Sequence, residues 1–239
     1  MASVNEARNG REKREVLLYG TSANPPNGMT GHMGAVAFCR ELFDEIWVLP
    51  VYQHIYSTKR QLAPFHHRVT MTELAVADMD RAQQDTGETS SKRAVVRVSE
   101  AERELFEHHA ALTDKPEELR VGSIDLVRFL REKHPDLSFT MLLGADTFAD
   151  LRAGKWKNGD ELQRLVKLLV MSRKGFEPPQ VELNGDEQQR IRFITIPALD
   201  DASSTRTRAI KDPDQLRRAV FPGVAEYIIK NKLYAFADS

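Results

Sequence analysis

Six short runs of branched and large apolar residues punctuate the chain, at residues 16–19, 46–49, 95–98, 139–143, 168–171 and 191–196. Turn or polar residues lie near most of them, which marks each as a β-strand. Runs that are apolar almost without a break, such as Thr140-Met141-Leu142-Leu143, suit central strands of a parallel sheet covered on both faces.

Amphipathic stretches lie between the strands. Phe65, Val69, Thr72, Val76 and Met79 recur at helical spacing after Pro64, which is well placed to open a helix. Ile124, Val127 and Leu130 repeat the pattern, with Ser123 as the expected N-cap. Strands alternating with helices argue for right-handed βαβ crossovers. The fold class expected is therefore α/β: a doubly wound, mostly parallel sheet with a small helical C-terminal part. Two polar segments, residues 81–93 and 177–190, read as surface loops and lack the Pro/Gly/Ser dominance of a long linker. Residues 1–15 are polar and of mixed charge, with no apolar stretch like that of a secretory signal, and read as a flexible tail. Residues 16–239 read as a single domain.

Composition narrows the partners. Hydrophobic residues are 41% of the chain and charged residues 29%, the profile of a soluble globular protein. The 34 basic and 35 acidic residues give a net charge of -1, so no overall basic field draws nucleic acid. An anionic ligand must be met by local groups instead. The longest apolar run, around residues 46–51, is far too short to cross a bilayer, so no membrane partner is expected. Cys39 is the single cysteine, which excludes an intramolecular disulfide and a thiolate zinc site. It is expected on the buried face of a helix, in a chain suited to a reducing compartment, with the cytoplasm as the default location. His66-His67 and His108-His109 lack metal-ligand spacing. Self-association as a homo-oligomer stays open.

Candidate chemistry concentrates after the first strand, in Tyr19-Gly20-Thr21-Ser22-Ala23-Asn24-Pro25-Pro26-Asn27-Gly28-Met29-Thr30-Gly31-His32. A helical run with Met33, Val36, Ala37 and Phe38 follows it. In doubly wound folds ligands bind at the carboxyl ends of strands, where small-residue turns bring backbone N–H groups and a helix dipole to a phosphate. Gly28, Gly31 and Gly34 recur every third residue, so they form no dinucleotide-binding GxGxxG fingerprint, and there is no Walker A lysine motif. On these grounds the loop is either a plain turn or a phosphate cradle. His32, opening the helix beside it, favours the cradle.

This loop resembles the Gly-Thr/Ser-Phe-Asp/Asn-Pro…Gly-His signature of the nucleotidylyltransferase superfamily. Three later segments resemble, in order, the nicotinate and nicotinamide mononucleotide adenylyltransferases. They are Leu49-Pro50-Val51-Tyr52-Gln53…Lys59 with Phe65-His66-His67-Arg68, then Leu143-Gly144-Ala145-Asp146-Thr147-Phe148 with Trp156-Lys157, then Ala202-Ser203-Ser204-Thr205-Arg206-Thr207-Arg208. The closing stretch from Phe221-Pro222-Gly223 to Leu233-Tyr234 looks like the family's last helix, so the likeness covers nearly the whole chain. The chain departs from the pattern in a loop before His32 that is two residues longer than usual, in Ala23 where an aromatic residue is common, and in Ala202 where isoleucine is usual.

The resemblance implies transfer of the adenylyl group of ATP to nicotinic acid or nicotinamide mononucleotide, with release of pyrophosphate. It implies an ATP site of Gly20, Thr21, Ser22, His32, Gly144, Asp146, Ser204, Thr205 and Arg208. Asn24, Lys59, Trp156 and Arg173 are expected at the pyridine nucleotide. His32, Lys59 and Arg208 are expected to act in catalysis, His32 as a charge-assisted donor to the ATP phosphates. Asp146 suits ribose hydroxyls or a helix N-cap, Trp156 a pyridine ring, and Ser203 or Ser204 a cap on a helix running through Ile210. The attacking phosphate is already anionic, so the expected assistant is Mg²⁺ bound mainly through substrate phosphates. Two alternatives stand beside this reading: another superfamily transferase of the pantetheine-phosphate or cytidylyl type, and a non-catalytic nucleotide-binding protein.

Overall fold

A computed structural model describes residues 13–53, 62–85, 93–173, 181–197, 199 and 203–237. Six strands, β1 (Arg14–Thr21), β2 (Glu45–Pro50), β3 (Val95–Val98), β4 (Leu137–Gly144), β5 (Lys167–Arg173) and β6 (Ile191–Ile196), form one sheet in the order β3-β2-β1-β4-β5-β6. Every neighbouring pair is parallel. The helices are α1 (His32–Cys39), α2 (Phe65–Asp85), α3 (Ala101–Ala110), α4 (Ser123–Lys133), α5 (Ala145–Arg152), α6 (Gly159–Leu165), α7 (Gly185–Arg190), α8 (Ser204–Arg208), α9 (Pro213–Ala219) and α10 (Pro222–Lys230). All six expected strands are present, several longer by one or two residues at an end.

The period-two pattern of the strands explains the layering. On β1, Leu17 and Tyr19 point into one core and Val16 and Leu18 into the other; on β4, Leu142 opposes Met141 and Leu143 in the same way. The first core is closed by α1, α2 and the C-terminal helices, through Met33, Val36, Met79, Leu216, Val224 and Ile228. The second is closed by α3 to α6, through Leu105, Ile124, Leu130, Phe148 and Leu162. Cys39 is fully buried on α1 as expected, and burial pushes its thiol up to about 12, which keeps it protonated and inert.

Several local expectations are corrected. Arg14 and Glu15 belong to β1, because a strand in the middle of a sheet recruits polar flanks whose backbone can pair, as Arg14 does opposite Leu137. Residues 81–85 continue α2, and residues 185–190 form α7. The second case carries a legible sign: Asn184 accepts from the Glu187 N–H while Glu187 accepts from the Asn184 N–H, a reciprocal cap. Ser123 is the first helical residue of α4, and Gly122 is its N-cap; the free N–H of Gly122 is taken up by Asp125 at 2.9 Å. Helix α8 stops at Arg208 and not at Ile210; Ser203 is its N-cap residue as expected, but makes no side-chain cap bond. One glycine is required by close approach: a Cβ on Gly34 would lie 1.8 Å from the Met29 carbonyl oxygen, so α1 can dock beneath the preceding loop only without a side chain there.

Candidate active site

The strand order reverses between β1 and β4, and a cleft opens at the carboxyl ends of these strands, where doubly wound sheets bind ligands. It has two adjoining lobes of about 430 and 390 Å³ that share Gly20, Thr21, Ser22, Glu102, Ser123 and Trp156 in their walls. Each is of the size that holds a small organic ligand. A Cβ on Gly20 would meet nothing within 4 Å, so the backbone here borders open space. Three helices start at the cleft: Gly31 and His32 of α1, Ser123 of α4, and Gly144 and Asp146 at the start of α5 all line it. Their N-terminal dipole ends give a chain of near-zero net charge a local preference for anions.

The loop after β1 is held from behind by its carbonyls. Arg68 donates to the Ser22 carbonyl at 3.1 Å, Arg208 to that of Asn24 at 2.8 Å, and the Ser204 hydroxyl to that of Pro25 at 3.0 Å. The Val51 N–H takes the Thr21 carbonyl, and the Met33 N–H that of Asn27. Burial pushes the Tyr234 phenol up, so it remains an O–H donor, and it donates to Asn24 Oδ1 at 2.8 Å. Ala63 N–H reaches the same oxygen. The loop is thereby built as a rigid turn on a scaffold from four distant segments.

The Asn27 N–H donates to His32 Nδ1 at 3.1 Å. An Nδ1 that accepts carries no proton, so the ring proton sits on Nε2 and the imidazole making this bond is neutral. His32 thus presents its Nε2–H in a fixed tautomer, a donor whose bond to an anionic phosphate would be charge-assisted.

Gly20, Thr21, Ser22, His32, Gly144, Asp146 and Trp156 are brought together on the cleft walls. Trp156 is half-buried in the turn between α5 and α6, with Asp146 exposed opposite the loop. Asn24, Ser204, Thr205 and Arg208 are not among the residues lining these two lobes. Asn24 is buried within the loop. Ser204 and Arg208 donate to loop carbonyls, with Arg208 also donating to Thr205 Oγ1 at 3.1 Å. Asp146 is the second residue of α5, whose N-cap is Gly144, so the N-cap alternative is removed. Arg173 ends β5, and its side chain lies outside the described residues, as does Lys59 altogether. His67 Nδ1 meets the Tyr227 hydroxyl at 2.8 Å, a tie between α2 and α10.

Two residues of consequence were not singled out. Arg68 is 1% exposed and donates to the carbonyls of Ser22, Val51 and Ala63, joining the loops after β1 and β2 to the start of α2. Its position in the apolar stripe of Phe65, Val69 and Thr72 was the available sign. Glu102, at the start of α3 after β3, lines both lobes and accepts from the Tyr52 N–H at 2.9 Å. Burial pushes its carboxyl up to about 7, against the Tyr52 N–H and the Arg68 charge, which pull it down. Applying the strand-end rule to β3 would have found it.

Residues 18–210 match the cytidylyltransferase-like family, and the chain belongs to it. Among named relatives, the probable nicotinate-nucleotide adenylyltransferase of Anaeromyxobacter dehalogenans (strain 2CP-1 / ATCC BAA-258) is 29% identical over 92% of this chain and 97% of its own. That of Bacillus pumilus (strain SAFR-032) is 24% identical over 92% and 98%. Among solved structures, the Plasmodium falciparum nicotinic acid mononucleotide adenylyltransferase complexed with NaAD shares the fold at a TM-score of 0.64 and 22% identity, over 93% of this chain and 98% of that one.

Proposed function

We propose that this protein transfers the adenylyl group of ATP to the phosphate of a pyridine mononucleotide, nicotinic acid or nicotinamide mononucleotide, releasing pyrophosphate and forming the dinucleotide. The observation that carries it is the convergence of three helix N-termini, the carbonyl-anchored loop and His32 in one cleft with Trp156, at the β1/β4 crossover of the sheet. The relatives named above favour the pyridine acceptor over pantetheine phosphate or a cytidylyl donor.

The acceptor phosphate is already a nucleophile, so the chain's work is alignment and charge stabilisation. The loop, the helix ends and the His32 Nε2–H hold the triphosphate, Asp146 takes ribose hydroxyls, and Trp156 covers the pyridine ring. Lys59 and Arg173 contact phosphates. Arg208, bound to the Asn24 carbonyl and to Thr205 Oγ1, keeps further guanidinium N–H donors for a phosphate. Mg²⁺ would be held chiefly by the phosphate oxygens of the substrates and would supply charge neutralisation for the leaving pyrophosphate.

The test is pyrophosphate release from ATP and Mg²⁺ with each mononucleotide in turn. Release with at least one is expected, and release with neither sinks the proposal. Trp156→Ala is expected to raise KM for the mononucleotide about tenfold, as loss of a stacking face costs on the order of 1 kcal/mol or more, and to change KM for ATP far less. An equal rise for both substrates would remove Trp156 from the pyridine subsite.

A further inference from the structure

Glu102 is the one ionisable side chain common to both lobes of the cleft among the described residues. At the start of α3, it shares the walls of both lobes with Trp156 and Ser123, and Lys157 borders one of them. One carboxylate oxygen is held by the Tyr52 N–H, which aims the group and leaves the other oxygen for a ligand. Nothing in phosphate chemistry calls for a carboxylate here; an anion beside a phosphate path is a cost. A carboxylate does have a use next to a heterocycle that carries either an acid or an amide.

Resting on the pyridine-nucleotide reading above, we propose that Glu102 is the specificity-determining residue that reads the ring substituent of the acceptor, carboxylate or carboxamide, at the Trp156 end of the cleft. An ionised Glu102 accepts from the amide N–H₂ and repels the ring carboxylate. A protonated Glu102 donates its O–H to that carboxylate. With burial holding its carboxyl at about 7, both forms are populated near neutrality, so the preference swings with pH: towards the acid below it and towards the amide above it.

The charged and titratable groups around Glu102 are few. Arg68 of α2 lies beneath it, bound to three carbonyls. Arg103, its neighbour on α3, pairs with Glu100 at 3.0 Å and lies over the Phe65 ring. Tyr52 of the loop after β2 supplies the N–H. Lys157 at the lobe's rim is paired with Asp125 of α4 at 3.0 Å, and His32 and Asp146 line the other lobe. His32 serves the phosphates, which the two acceptors share.

The experiment is the ratio of kcat/KM for nicotinic acid mononucleotide to that for nicotinamide mononucleotide, between about pH 5.5 and about 8.5, with saturating ATP and Mg²⁺. The acceptors share ribose and phosphate, so every other titration cancels in the ratio. The ratio is expected to fall by about tenfold or more across this range in the native protein, and to stay level within about twofold in Glu102→Gln, whose amide oxygen still accepts from Tyr52. Glu102→Asp, which keeps a titrating carboxyl, restores a slope. A level ratio in the native protein, or an equal slope in Glu102→Gln, overturns the role of Glu102 while leaving the transferase reading intact. No turnover of either mononucleotide overturns that reading and this one together.

Discussion

Replacing His32 with alanine is expected to lower kcat by about 10²–10³-fold, the usual consequence of losing one preorganised donor to charge that develops in a transition state. The ring opens α1, lines the cleft beside the Gly20-Thr21-Ser22 turn, and is locked in one tautomer by the Asn27 N–H. That lock is what makes the donor preorganised: Nε2 carries the proton before substrate arrives. Thermal unfolding of the variant is expected to stay within a few degrees of the native protein, because His32 is not part of either core cluster. Steady-state pyrophosphate release, with a denaturation curve beside it, checks both halves. Turnover within about threefold of native would take His32 out of the mechanism. His32→Gln offers a neutral donor of similar reach, so it should recover more activity than His32→Ala.

Arg68→Leu is expected to cost roughly 3–5 kcal/mol of stability, the range found when one partner of a buried charged network is removed. The cause is not loss of an ion pair. Three buried carbonyls, of Ser22, Val51 and Ala63, lose their donor at once, and a leucine side chain offers nothing in return. The same change releases the loops after β1 and β2 that border the cleft, so substrate binding should weaken with stability. Denaturant unfolding measures the first effect; a loss under about 1 kcal/mol would mean that the loops find other donors. Arg68→Lys should rescue little. One ammonium cannot span carbonyls on three chain segments, whereas the flat guanidinium can, and burial already disfavours the charged form of any side chain at this point.

The two residues mark where reading the chain succeeds and where it stops. His32 was legible because three local signs coincide: a strand run, a small-residue turn, and the first residue of a helical pattern. Gly20, Thr21, Ser22, Gly144 and Asp146 were legible because each lies at or just after the end of an apolar run that reads as a strand, and because the family resemblance falls there. Trp156 needed the family resemblance as well, since a tryptophan flanked by lysines says only that it lies near the surface. Arg68 reads as an arginine on a helix. Only the folded chain shows that it is buried and that its head reaches carbonyls just past two strand ends. Glu102 carries the same lesson for electrostatics, because the raised carboxyl depends on what surrounds it and not on its neighbours in sequence.

That six strands alternate with helices follows from near-continuous apolar runs and a 3.6-residue pattern along the chain, because burial on both faces of a parallel sheet and on one face of a helix imposes those patterns locally; the order of the strands was set by tertiary structure. Tertiary structure alone decided how the loop after β1 is braced. Arg208 reaches the Asn24 carbonyl across 184 residues, and Tyr234 reaches the Asn24 side chain across 210. It also decided that Ser204 and Arg208 hold loop carbonyls, and that Glu102 lines the cleft at all. Hydrophobic periodicity reports which face of an element is buried; which donor meets which acceptor is set by packing between segments far apart in the chain, and a single buried carbonyl leaves no mark in its own sequence.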